Sequence, residues 1–119
     1  MELIRYLFDA AVAMDPAARH LDEANRFPVC NPEGLTALFA EAGLRDIATR
    51  SIDVPTRFPN FDDYWSPFLG GQGAAPAYAM SLTDDHREAL RERIRAALPT
   101  AADGSINLIA RAWAIQGHR

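Results

Sequence analysis

The chain has 119 residues, enough for one domain and no more. Sixteen acidic against twelve basic residues leave a net charge of −4, and the sequence pI is near 5.2, which argues against a nucleic-acid groove with its basic face. A hydrophobic share of 49% and a charged share of 24% are globular rather than disordered proportions, and no apolar run approaches the ~20 residues of a membrane helix.

The opening stretch MELIRYLFDAAVAMD is interrupted by Glu2, Arg5 and Asp9, so it lacks the uncharged centre of a secretory signal. A cytoplasmic, single-domain protein with no nucleic-acid or membrane partner is expected. The lone Cys30 has no internal disulfide partner, and three scattered histidines offer no metal-ligand spacing, so no metal is expected. All twelve basic residues are arginine, which excludes Schiff-base chemistry and a P-loop lysine.

Residues 2–14 read as a helix, because Leu3, Ile4, Leu7, Phe8, Ala11 and Val12 recur at spacings of three and four. No Ser, Thr, Asp or Asn precedes it as a cap. Asp15-Pro16 then forms a joint, with aspartate capping a short turn that runs to Glu23. Residues 24–29 read as irregular. Asn31-Pro32-Glu33 is the clearest helix start: asparagine caps, proline lacks only an N–H that would be orphaned anyway, and glutamate meets the positive end of the dipole. That helix, 32–42, is expected to bury Leu35, Leu38, Phe39 and Ala42, with Gly43 as its left-handed stop.

Residues 46–58 read as a strand rich in β-branched side chains. Ile47 is out of phase with Ile52 and Val54, which predicts a bulge or two partly covered faces, and Pro55 is expected to end regular pairing. Residues 60–82 form an aromatic insert that opens on the cap Asn60. Six of the eleven aromatic residues lie between Phe58 and Tyr78, and the glycine-rich run Gly70 to Gly73 interrupts them. That run lacks the spacing of a phosphate-binding loop, so it reads as a hinge in a lid over an apolar ligand, or as part of a small satellite core.

Thr83 caps a helix over 84–98 with Leu90, Ile94, Ala97 and Leu98 inward and four arginines outward. Residues 105–116 read as a strand. Its even positions from Ile106 to Ala114 are small or aliphatic, and its odd positions include Ile109, Trp113 and Ile115. A strand apolar on both faces belongs in a covered sheet. The residues leave open whether it runs parallel or antiparallel to 46–58.

Three stretches, RFPVCNPEGLTALFAEAGL, VPTRFPNFDDYWSPFLGGQGAAPAY and DGSINLIARAWAIQG, carry a resemblance that extends over nearly the whole chain. It is to the carboxy-terminal half of the UbiE-like class I S-adenosylmethionine-dependent methyltransferases, and residues 61–78 are its most specific part. The resemblance implies an α+β fold, a partial α/β Rossmann-like methyltransferase. In it 46–58 and 105–116 are the sixth and seventh strands, an antiparallel pair flanked by helices 2–14, 32–42 and 84–98, with the insert or lid 59–82. Nothing here matches the family's glycine-rich cofactor turn or the acid ending its second strand. The resemblance therefore implies a substrate-side part of a transferase that binds no S-adenosylmethionine alone and is completed by a separate cofactor-binding half. Tyr64, Trp65, Phe68, Gln72 and Tyr78 are the substrate-binding candidates, and no catalytic, cofactor or metal residue is assigned.

The alternatives are a stand-alone module for a small apolar ligand and a dimerisation module. Trp65 and Phe68, three residues apart, are expected to line the largest cavity, with Gln72 and Tyr78 as its polar groups. In the family the seventh strand lies between the sixth and the fifth, which is missing here. A homodimer is therefore expected, through two copies of Ser105–Gln116 pairing edge to edge with the first helices packed across the join, or through an exchanged strand.

Overall fold

Two long strands and six helices build the molecule, and a computed structural model describes residues 1–119. Helix α1 (Glu2–Met14) has no side-chain cap, as its sequence suggests. Asp15 accepts from the Ala17 N–H at 3.0 Å and opens the 3-10 turn Pro16–Leu21. Residues 24–29, read as irregular, contain the end of a short helix α2 (Glu23–Arg26), because Asp22 accepts from the Ala24 N–H at 2.9 Å. Helix α3 (Pro32–Glu41) starts on Asn31, which accepts from the Gly34 N–H at 2.8 Å. Gly43, at φ 81°, stops it, and the Leu44 N–H folds back to the Phe39 carbonyl at 3.1 Å.

The expected inward stripe of α3 is not buried. Leu38 is 50% exposed and Ala42 is exposed, while Leu35 and Phe39 are half-covered. The helix rests mainly on the sheet, and its outer face stays exposed.

Strand β1 (Arg45–Phe58) and strand β2 (Ile106–His118) form a two-stranded antiparallel sheet. Both features anticipated from the phase of Ile47 are present. The register shifts between Arg45 and Ala48, with Asp46 at φ 52°, and both faces are partly covered. Ile106 and Leu108 turn into the main core on the even-numbered face. At the other end, Thr49, Ser51, Trp113, Ile115 and Gly117 are half-covered on the odd-numbered face, which meets α3. The ribbon thus leans on opposite sides at its two ends, and its middle is bare. Ile52 and Val54 are 51% and 54% exposed.

Pro55 does not end the pairing; it lies opposite Ile109 within the ladder. Its missing N–H points to the outer edge, where no partner needs it. The Ile109 N–H likewise turns outward and donates to Glu2 Oε2 at 2.5 Å.

The insert folds as α4 (Phe61–Trp65), the 3-10 turn Ser66–Gly70 and α5 (Ala74–Ser81). Asn60 caps α4 by accepting from the Asp63 N–H at 2.9 Å. Helix α6 (Asp84–Ala97) follows, and Thr83 Oγ1 accepts from the His86 N–H at 3.3 Å. Leu90, Ile94 and Leu98 are buried, but Ala97 is exposed. One cluster of 17 buried hydrophobic residues unites α1, the insert, α6 and the first residues of β2. Leu7, Phe8 and Ala11 of α1 are fully buried in it, so that stripe is not left open for a subunit interface.

Candidate functional site

The aromatic insert is a packed body. Trp65 and Phe68 share one side as their spacing requires, with ring centroids 5.8 Å apart, yet they are only 5% and 3% exposed. Phe61 stacks on Trp65 at 6.4 Å and 10°, and Tyr64 lies 5.5 Å from both Phe58 and Phe68. The Tyr64 hydroxyl donates to the Leu3 carbonyl at 2.8 Å and pins the insert to α1. Burial pushes that phenol far above its ordinary pKa, and burial also raises Tyr78. Gln72, by contrast, is exposed in the turn between Gly71 and Gly73, both at positive φ.

The arginines of α6 do more than face water. The Arg87 guanidinium donates to the Ala79 carbonyl at 2.9 Å and to the Leu82 carbonyl at 2.8 Å, which satisfies the end of α5. Arg95 sits 4.2 Å and Arg91 5.3 Å from the centre of the Phe61 ring. These contacts lock the insert shut from the outside, and no local sequence signal marks them, because the partners are several residues to tens of residues away.

The main cavity is elsewhere, and Trp65, Phe68, Gln72 and Tyr78, expected to line the largest one, do not border it. It is an open cleft of about 600 Å3 between the start of α1, the segment from Asp22 to Asn31, the start of α3 and the middle of β2. Ile4, Phe27, Leu35 and Trp113 supply apolar walls, and Cys30 lies exposed at the rim. Arg5 and Asp22 give its polar side. Arg5 Nη1 donates to Asp22 Oδ1 at 2.8 Å and Nη2 to Oδ2 at 2.5 Å, a two-pronged pair. The Arg5 hydrogen bonds hold the Asp22 carboxyl below its ordinary pKa and the Arg5 guanidinium above its own. Every buried side-chain polar atom of the protein has a hydrogen-bond partner.

This cavity escaped sequence reading because its walls come from four separate elements. Asp22 lies between the 3-10 turn and α2, and its partner Arg5 lies seventeen positions earlier on α1, so no local spacing links them. No cluster of three or more His, Cys, Asp or Glu side chains has the proximity to hold a metal ion, and no helix is long and apolar enough to cross a membrane. Comparison with family models, with curated proteins and with solved structures finds no match for this chain.

Proposed function

We propose that this chain is the substrate-side part of a UbiE-like class I S-adenosylmethionine-dependent methyltransferase, completed by a cofactor-binding half. The observation that carries the reading is the antiparallel ribbon. Its elements follow the order helix, strand, aromatic insert, helix, strand that the resemblance implies, and β2 keeps an open edge where the family's fifth strand would lie. In this reading the Rossmann-like sheet exists only when both parts are joined, and this chain alone binds no S-adenosylmethionine. Tyr64, Trp65, Phe68 and Tyr78 then act on the substrate through the shape of the insert they hold closed. Gln72, exposed at its hinge, is the one of the five free to touch it.

Calorimetric titration tests this. The chain alone gives no heat with S-adenosylmethionine, whereas the chain fused behind a half carrying the first five strands of a UbiE-like enzyme binds it. Micromolar binding by the chain alone, or none by the fusion, overturns the reading.

The apolar walls of the cavity beside β2 favour a second reading, a module for a small apolar ligand. A Trp65→Phe variant leaves Trp113 as the only indole. Its fluorescence should respond to an apolar probe such as anilinonaphthalene sulfonate; an unchanged spectrum counts against this reading.

A further inference from the structure

The protein carries far more surface than its mass calls for. It exposes 7561 Å2 at 13.1 kDa, where a closed monomer of that mass exposes about 6,400 Å2. Its radius of gyration is 17.1 Å, against about 13.5 Å for a compact chain of this length. The excess, about 1,200 Å2, exceeds the ~800 Å2 that each partner contributes to an interface of ordinary size.

The open surface is not evenly guarded. Ile109 is paired with Pro55 and sends its N–H outward to Glu2, so the alternation of the ladder turns the N–H and C=O groups of Arg111, Trp113, Ile115 and Gly117 outward as well. Glu2 caps the first of these outward positions beyond the core, Ile109, and leaves the later ones open. The charge that would guard the edge, Arg111, is drawn across to β1, where its guanidinium grips Asp53 at 2.6 and 2.7 Å. The outer edge of β1 differs, because Pro55 stands in its middle.

We infer that a second copy of this chain pairs with the free edge of β2, antiparallel about a two-fold axis at Ala114. In that register Trp113 faces the second copy's Ile115, Arg111 faces Gly117, and Ala114 faces itself. The outward groups of the four odd positions form about eight backbone hydrogen bonds. An aromatic residue opposite a β-branched one is a favourable cross-strand pair, and no like charges meet. Gly117 brings no side chain to the mouth of the cavity that Arg111 and Trp113 border. The product is a four-stranded sheet ordered β1-β2-β2-β1. Each of its outer edges is a β1 that carries Pro55, so assembly closes at two. The inference does not rest on the methyltransferase reading, which fills the same edge with a different strand.

Sedimentation at about 50 µM, above the micromolar affinity of the weakest interfaces of this size, tests it. The native chain should run at twice 13.1 kDa. Ala114→Glu places two carboxylates against each other at the axis and should shift the chain to monomer, and Ala114→Arg should do the same. Ala114 is exposed within one chain, so circular dichroism should show both variants folded. An equimolar mixture of the two should restore the dimer, a rescue that only self-pairing at this residue explains. A native monomer, a dimer indifferent to Ala114→Glu, a mixture that stays monomeric, or a series of larger oligomers overturns the inference. The S-adenosylmethionine titration reads none of these, so the two proposals fail separately.

Discussion

Tyr64 and Asp22 show how single side chains tie distant segments together. The Tyr64 hydroxyl spends its one donor on the Leu3 carbonyl, in a site without water to replace it. Tyr64→Phe should cost about 1 kcal/mol in urea unfolding, the net value of one such bond when the carbonyl keeps its helical donor. The raised phenol pKa adds a pH signature. A group whose folded pKa lies above its unfolded value near 10 stabilises the fold below pH about 10 and loses that contribution as pH rises further. Alkaline unfolding should therefore steepen above pH about 10 in the native chain and flatten in Tyr64→Phe. Asp22 works in the opposite direction. Its pKa is lowered, so its stabilisation is present above pH about 4 and is lost as pH falls through the folded value. Asp22→Asn keeps the cap on α2 but loses the ionic pair with Arg5. It should cost about 1 to 2 kcal/mol, discounted because Arg5 is over a third exposed, and should remove this pair's share of the acid sensitivity, leaving that of Asp53 and Asp103.

At the scale of elements, the two ends of the sheet have unequal support. Helix α6 buries Leu90 and Ile94 completely, and truncating either to alanine should cost about 2 to 4 kcal/mol in chemical denaturation. Helix α3 has no buried residue and rests mainly on the odd face of the ribbon. Its amides should exchange with solvent through local opening, well before those of α1 and α6, in native-state hydrogen exchange. The segment before α3 depends on Gly34. A Cβ there would lie 3.0 Å from both the Cα and the carbonyl oxygen of Val29, backbone atoms with little room to move. Gly34→Ala should therefore displace residues 27–31 and open the wall of the cavity they form, despite alanine's higher helix propensity. Faster proteolysis in that segment would report it; unchanged proteolysis with raised stability would show that the turn adapts.

The whole molecule is elongated, with extents of 53 × 34 × 22 Å, and only 19 of its 119 residues are buried. Its unfolding should therefore expose less new apolar surface than a compact chain of equal length. Calorimetry on the monomeric Ala114→Glu variant should give a heat-capacity change below the usual ~12 cal/mol/K per residue. A value at or above that figure would mean that the bare ribbon is covered within one chain in solution.

Local chemistry was sufficient for most elements of this protein. The caps Asp15, Asn31, Asn60 and Thr83, the stop at Gly43, the irregularity before Ala48 and the helical stripes of α1 and α6 depend on neighbours within about one turn. The sequence displays those neighbours directly. Whether an apolar side chain would be covered was not local. Leu38, Ile52 and Val54 have the pattern of core residues and remain half exposed, because burial needs a second surface that no spacing within one element supplies. The aromatic insert shows the converse. Its composition fits a lid over a ligand as well as a small core, and contacts from Leu3, Arg91 and Arg95, far along the chain, close it into a core. The cavity arose beside β2 for the same reason: Arg5, Asp22, Leu35 and Trp113 meet only after four elements have packed. Short-range hydrogen bonding determined which residues are helix and strand, and long-range packing decided which faces are inside.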